Sequence, residues 1–458
     1  MKLLKSYLQK KIVVLASFAL AAGATAVVFG GRQTKGYVAH EWGTFTSVQG
    51  SDGVLLDWRP LETSHLPKFV HDWTNPGLNL RPNVFGSKSV VIAGQRMETP
   101  VIYFYSAERQ FVDVSVQFPQ GLITEWYPQA TQIGPSMAVV PQVISNVTDC
   151  SDKLVSTLVR TDGVASRDPS TKESRASWAQ VEILPQKLNP SVAALLPRSD
   201  SGPHYFAARN TDAEYLRTSS ISATNSSIEH EKFIFYRGVG KFATPLRVTM
   251  TSEQEALLTN TGKEALEHLF VLQLHNQAGG FIYLDQLPPG VQRKVVLAPE
   301  NGNVPVAKLS RQLGARMEES LVKAGLYPRE AAAMVKTWSD SWFQEDGIRV
   351  LYALPRAWTD RTLPLKLGPA PRELVRVMVG RAEIIPASVQ QQLSEAFTKA
   401  SRGDIQARLD AGRELKRLGR FSEPAVRLAT RGAGNEVSQT AWGLLYPPAK
   451  PAPAAKAF

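Results

Sequence analysis

Val112, Val114, Val116 and Phe118 alternate with Asp113, Ser115 and Gln117. Side chains at period two leave a pleated strand on opposite faces, so this segment reads as a strand with one greasy and one wet side. The same period dominates from about Tyr37 to Val296. Val101-Ile102-Tyr103-Phe104-Tyr105 is a continuous apolar run, which predicts a strand covered on both faces. Leu122–Tyr127, Trp178–Leu184, Phe233–Val239, Leu246–Met250, Leu269–His275 and Phe281–Leu284 are further strands. Short strands punctuated by Gly, Pro and Asn predict antiparallel β-sandwich units.

After residue 305 the period lengthens. Leu309, Leu313, Met317 and Leu321 recur every fourth position up to Gly325, and Pro328 opens a second helix with Ala331, Val335, Trp338 and Trp342 on one face. Two strands follow, Ile348–Leu354 and Leu374–Ile385. Pro386 then starts a helical end with a stripe of Val389, Leu393, Phe397 and Ala400. Asp404 caps a further helix, Ile405, Leu409 and Leu418 form its expected buried side, and Gly419 ends it. The reading is mainly β with α additions (α+β). Its segments are an export leader over 1–31, β-rich units over 32–150 and 151–304, a helical pair plus two strands over 305–385, a helical region over 386–445, and a loose Pro/Ala tail over 446–458. Residues 150–175 read as a long polar loop.

Charge narrows the function classes. The chain of 458 residues carries +11, but residues 32–300 hold 24 basic and 26 acidic residues, so the large middle is nearly neutral. The basic excess lies at the ends, densest over 399–431 with nine Lys/Arg against four Asp/Glu. No basic recognition element stands in the middle, so a nucleic-acid partner is not expected. Lys2, Lys5, Lys10 and Lys11 precede an uncharged apolar run from Ile12 to Phe29. That is the layout of a secretory leader, and the same run, left uncut, is long enough to hold the chain in a membrane. Both readings export the protein, to the periplasm, envelope or exterior. Cys150 is the one cysteine, so no disulfide forms within the chain. A chain of this length buries enough apolar surface to manage without one.

Chemistry is less legible. His40-Glu41, His65 and His71-Asp72 place three of the seven histidines within 32 residues, beside two carboxylates. Imidazoles and carboxylates suit a zinc-like divalent ion, with Glu41 or Asp72 as the catalytic carboxylate. There is no HExxH, however, and in a strand His40 and Glu41 point to opposite faces. The bland reading, separate histidines satisfied by backbone groups near a sheet edge, leads. His230-Glu231 is a second acid–base pair that reads as flanking a turn. No G-x-S-x-G elbow, P-loop or complete dinucleotide fingerprint occurs, so no organic cofactor is predicted. Trp42 and Trp126 are candidates for stacking on a sugar ring, while Trp338 and Trp342 are expected to seat their helix on the sheet.

His40-Glu41-Trp42-Gly43-Thr44-Phe45-Thr46, directly after an export leader, resembles the opening of an uncharacterised family of exported bacterial proteins. Met97–Tyr105, Ile123–Pro128, Phe235-Tyr236-Arg237-Gly238 and Thr337–Phe343 resemble its further blocks. The resemblance implies export and a bacterial source, and it assigns no activity and no site residue. The leading expectation is a non-catalytic binding or scaffolding protein with an envelope glycan or protein as partner, touching the membrane through its N-terminal run if that run is retained. The rival is a metal-dependent hydrolase acting on envelope material.

Overall fold

The computed structural model describes residues 36–61, 66–73, 91–134, 174–200, 202–221, 226–297 and 304–447. The leader, His65, Cys150, most of the 150–175 loop and nearly all of the tail lie outside them. None of the described helices is long and apolar enough to cross a membrane.

The strands, in chain order, begin with β1 (Val38–Gly50), β2 (His71–Asp72), β3 (Gln95–Tyr105), β4 (Gln110–Phe118), β5 (Gly121–Tyr127) and β6 (Gln132–Gly134). The next are β7 (Ser174–Leu184), β8 (Tyr215–Ile221), β9 (Ser226–Glu231), β10 (Ile234–Gly240), β11 (Leu246–Ser252), β12 (Glu255–Asn260) and β13 (Leu266–His275). The last are β14 (Ala278–Leu287), β15 (Gln292–Val296), β16 (Val304–Pro305), β17 (Gly347–Leu354), β18 (Leu365–Gly368) and β19 (Glu373–Ile385). Ten of them form one sheet in the order β16-β14-β13-β17-β19-β1-β3-β10-β5-β2. A six-stranded sheet runs β18-β4-β7-β8-β9 with β6 paired to β7, and a three-stranded sheet runs β11-β12-β15.

The smaller sheets pack on one face of the large one. Phe45 and Ile102 share that core with Val112, Val114, Val116 and Trp178 of the six-stranded sheet and with Val248 and Leu258 of the three-stranded one. The opposite face is covered by α2 (Val306–Lys323) and α3 (Pro328–Phe343), whose Leu313, Met317, Met334, Trp338 and Trp342 meet Trp42, Val101 and Tyr103. A short α1 (Pro203–Ala207) joins this layer through Tyr205. The alternation over 112–118 is therefore one face of a true sandwich, and the continuous run 101–105 lies in a strand sealed on both sides. After α3, the short α4 (Arg356–Thr362) links β17 to β18.

Two features differ from the sequence reading. The ten- and six-stranded sheets each take strands from all three of the segments 32–150, 151–304 and 305–385, so these segments do not close separate sheets. Alternation reports which face of a strand is buried, not which strand is its hydrogen-bonded neighbour. The join is β1 with β19, paired in parallel through all 13 residues from Val38–Glu373 to Gly50–Ile385, and such a pair requires the long crossover that the intervening chain supplies.

The second difference lies in the C-terminal bundle of α5 (Ala387–Ser401), α6 (Ile405–Leu418), α7 (Ser422–Ala429) and α8 (Asn435–Leu445). Asp404 caps α6 as expected, accepting from the Ala407 backbone N–H at 2.9 Å. The inward stripe of α6, however, is Ala407, Ala411 and Leu415. Ile405 and Leu409, expected inside, are 75% and 54% exposed, while Leu418 is partly buried against the bundle core. Small alanines let α6 lie close on its neighbours, so the narrow stripe outcompetes the bulkier one.

Candidate functional site

The polar residues singled out near the N-terminus do not come together. On β1, His40 faces the helical layer, where its Nδ1 lies 2.7 Å from Glu330. Glu330 also accepts from the Tyr105 hydroxyl at 2.6 Å and the Tyr327 backbone N–H at 2.8 Å, the latter closing the N-terminus of α3. Glu41 points the other way, into the sandwich, and accepts from Arg376 Nε at 2.5 Å and from the Tyr236 hydroxyl. His71 and Asp72 sit on edge strand β2, with His71 Nε2 2.9 Å from Glu229. Four strand spacings separate β1 from β2, roughly 19 Å, against metal–ligand bonds near 2 Å. Among the described residues no group of three His, Cys, Asp or Glu is placed to hold a metal ion. Each described histidine of the set meets a glutamate through one ring nitrogen, not the backbone groups anticipated, and His40 Nε2 and His71 Nδ1 form no hydrogen bond.

The stacking candidates are core residues. Trp42 is sealed under the helical layer beside Tyr103, and Trp126 is buried with its indole N–H 3.2 Å from Gln129. Neither offers a ring face to a ligand. His230 and Glu231 end β9, and buried Glu231 is tied to Arg209 and Tyr205.

A different site emerges where the large sheet breaks register. The pairing of β1 with β3 shifts between Trp42 and Thr44, that of β10 with β3 between Phe235 and Gly238, and that of β10 with β5 between Arg237 and Gly238. At the centre Thr99 is left-handed at φ 49°, a region costly for a β-branched residue. Glycines allow the backbones to close around it. A Cβ on Gly43 would lie 2.9 Å from Pro100 Cα, and one on Gly238 would lie 2.2 Å from the Leu122 carbonyl oxygen. The distortion turns Arg96, Glu98 and Arg237 toward a cleft of about 470 Å³. Its walls are Tyr205 and His204 of α1, Trp338, Asp340 and Ser341 of α3, then Glu345 and Arg420.

The cleft floor is a buried charge lattice. Glu98 pairs with Arg96 Nε at 3.1 Å and Arg420 Nη1 at 2.8 Å, and accepts from Thr46 at 3.0 Å. Beside it Arg237 grips Glu125 with two bonds of 3.0 and 2.9 Å, and Arg381 joins Glu345 at 2.7 Å and Glu383 at 2.8 Å. Burial alone pushes the Glu98 carboxyl up, but Arg420, Arg96 and Arg381 together pull it down to about 2. Burial pulls the Arg96 guanidinium down to about 10; Glu98 resists this, while Arg237 and Arg420 add to it. Buried Arg96 Nε and Arg420 Nε and Nη2 close no hydrogen bond, although Arg96 Nε is within ion-pair reach of Glu98 and Arg420 Nε lies 3.9 Å from Glu345. Two guanidiniums thus share Glu98, Glu345 stands as a second carboxylate near Arg420, and some of their buried N–H groups are left without a hydrogen bond.

No family model matches the sequence, and no curated protein matches it. Among solved structures, the Fcho1 mu homology domain from Danio rerio with bound Eps15 peptide is similar at 7% identity and a TM-score of 0.29, covering 78% of this chain and 100% of that one. The yeast delta-COP-I mu-homology domain complexed with a Dsl1 WxWxV peptide is similar at 6% identity and a TM-score of 0.26, covering 77% and 98%. Likeness this slight bears on neither fold nor ligand.

The site rests on its own geometry. Glu98, Thr99, Phe235, Arg237, Trp338, Asp340 and Ser341 from the sequence blocks quoted above line it, and Thr46 and Glu125 bond its Glu98 and Arg237. The histidines and tryptophans give no pointer to Arg96, Arg237, Arg381 and Arg420, which lie in four separate stretches of chain. The available signal was the clustering of Glu, Arg and Gly within otherwise apolar strands. Such a floor can hold an oxyanion by paired N–H donors.

Proposed function

We propose that this chain is an exported, non-catalytic binding protein whose cleft takes a carboxylate or phosphate group carried by an envelope ligand. The observation that carries this reading is the pair Arg96 and Arg420, buried about Glu98 with Glu345 alongside, some of whose guanidinium N–H groups lack a hydrogen bond next to the cleft. Burying a guanidinium without full compensation is costly, and a bound oxyanion removes that cost. The cleft's other polar groups are engaged in ways that do not make a nucleophile–base pair. Ser341 Oγ donates to the Trp338 carbonyl at 3.3 Å, and His204 donates through Nδ1 to the Thr337 carbonyl at 2.5 Å while its Nε2 faces Asp340 at 3.3 Å. The export component rests on the lysine-led apolar leader, and cell fractionation tests it.

Thermal unfolding in a series of phosphate, succinate, glucuronate and chloride tests the ligand class. The wild type is expected to gain about 1–2 kcal/mol at tenfold saturation with the favoured oxyanion and nothing from chloride. Arg96→Gln is expected to lose that gain. Equal gains in wild type and variant, or no gain with any oxyanion, overturn the reading.

A further inference from the structure

The outward face of α6 is built unlike a solvated helix surface. Ile405 and Leu409 stand one turn apart and project into solvent, although the helix already buries Ala407, Ala411 and Leu415. Gly412 and Lys416 continue the same line, and Arg402 and Arg408 flank it, all three cations being exposed. Among the described residues Arg402, Arg408 and Lys416 make no ion pair, whereas Arg413 pairs with Asp410 and Arg417 with Glu414. Asp404, the other nearby acid, accepts the helix-cap hydrogen bond and pairs with none of the three. The face is therefore two branched apolar tips within a frame of cations that make no ion pair among the described residues.

We propose that this face of α6 docks on an anionic phospholipid surface. A soluble polyanion would use the cations and leave the apolar tips idle. A lipid surface uses both, headgroup charge against the arginines and lysine and the acyl boundary against Ile405 and Leu409. The contact is separate from the point where residues 1–35 join the body. That point lies at the start of β1, whereas the bundle meets its other end, where Leu428 lies 3.7 Å from where a Cβ on Gly50 would be. Thirteen strand residues span about 40 Å. The inference does not depend on the oxyanion cleft.

The test uses the full chain with Cys150→Ser and Gly412→Cys, a site where an added Cβ meets nothing within 4 Å, labelled with an environment-sensitive fluorophore. It is reconstituted into phosphatidylcholine vesicles with or without phosphatidylglycerol, each doped with brominated lipid, so that the leader has a bilayer in both. Quenching confined to the anionic vesicles is expected, falling about fivefold for each of Arg402→Gln, Arg408→Gln and Lys416→Gln, and falling also in Ile405→Ser/Leu409→Ser. Equal quenching in both lipids, quenching indifferent to these substitutions, or none in either overturns the proposal; the last leaves the face to a protein partner.

Discussion

Glu98→Ala is expected to cost about 3–5 kcal/mol in urea unfolding at neutral pH, because it leaves Arg96 and Arg420 buried without their shared carboxylate. The wild type carries the same dependence as a function of pH. The Glu98 carboxyl is held below its ordinary value of 4.5, at about 2, so its contribution is complete above pH 4.5 and drains as pH falls toward 2. At roughly 1.4 kcal/mol per pH unit the loss is on the order of 3 kcal/mol. Glu98→Ala should therefore show a shallower acid limb than the wild type between those values. Acetate should restore part of its stability by standing where the carboxylate stood. A variant as stable as wild type, with an unchanged acid limb, would show that the guanidiniums do not depend on this group.

The second large effect separates two adjacent residues. Glu41→Ala takes the carboxylate from Arg376 Nε and from the Tyr236 hydroxyl inside the sandwich, while Arg376 keeps Asp360 and the Leu363 carbonyl, at an expected cost of about 3 kcal/mol. His40→Ala removes one partner of Glu330 but leaves the Tyr105 hydroxyl and the Tyr327 N–H in place, for about 2 kcal/mol. Denaturant midpoints of the two variants measure the difference. The double variant is expected to cost the sum of the two, and a clear departure from additivity would mean that the two side chains serve one site, which opposite faces of β1 forbid.

That contrast also marks what was legible beforehand. Period two placed His40 and Glu41 on opposite faces, and the two faces indeed have different partners. The same logic found β4 and the sealed run of β3, while every-fourth spacing found α2 and α3, because each depends only on neighbours along the chain. Thr99 was not legible, since its left-handed backbone is imposed by the register shifts of β1 and β10 against β3. The parallel pairing of β1 with β19 was hidden for a similar reason, as partner choice leaves no mark on alternation. In α6 the bulkier stripe of Ile405 and Leu409 masked the alanine stripe that packs inward. The cleft arginines come from residues 96, 237, 381 and 420, and only folding makes them neighbours.

Arginine side-chain NMR reaches the oxyanion cleft itself. With ¹⁵N-labelled arginine, the Nε–H resonances of Arg96 and Arg420 can be assigned through Arg96→Lys and Arg420→Lys, then followed as phosphate and glucuronate are added in turn. The cleft predicts that both resonances move together along one saturable curve for at least one of these anions, while Arg376, locked to Glu41, stays still. Resonances of Arg96 and Arg420 that drift without saturation, or do not respond at all, would contradict it.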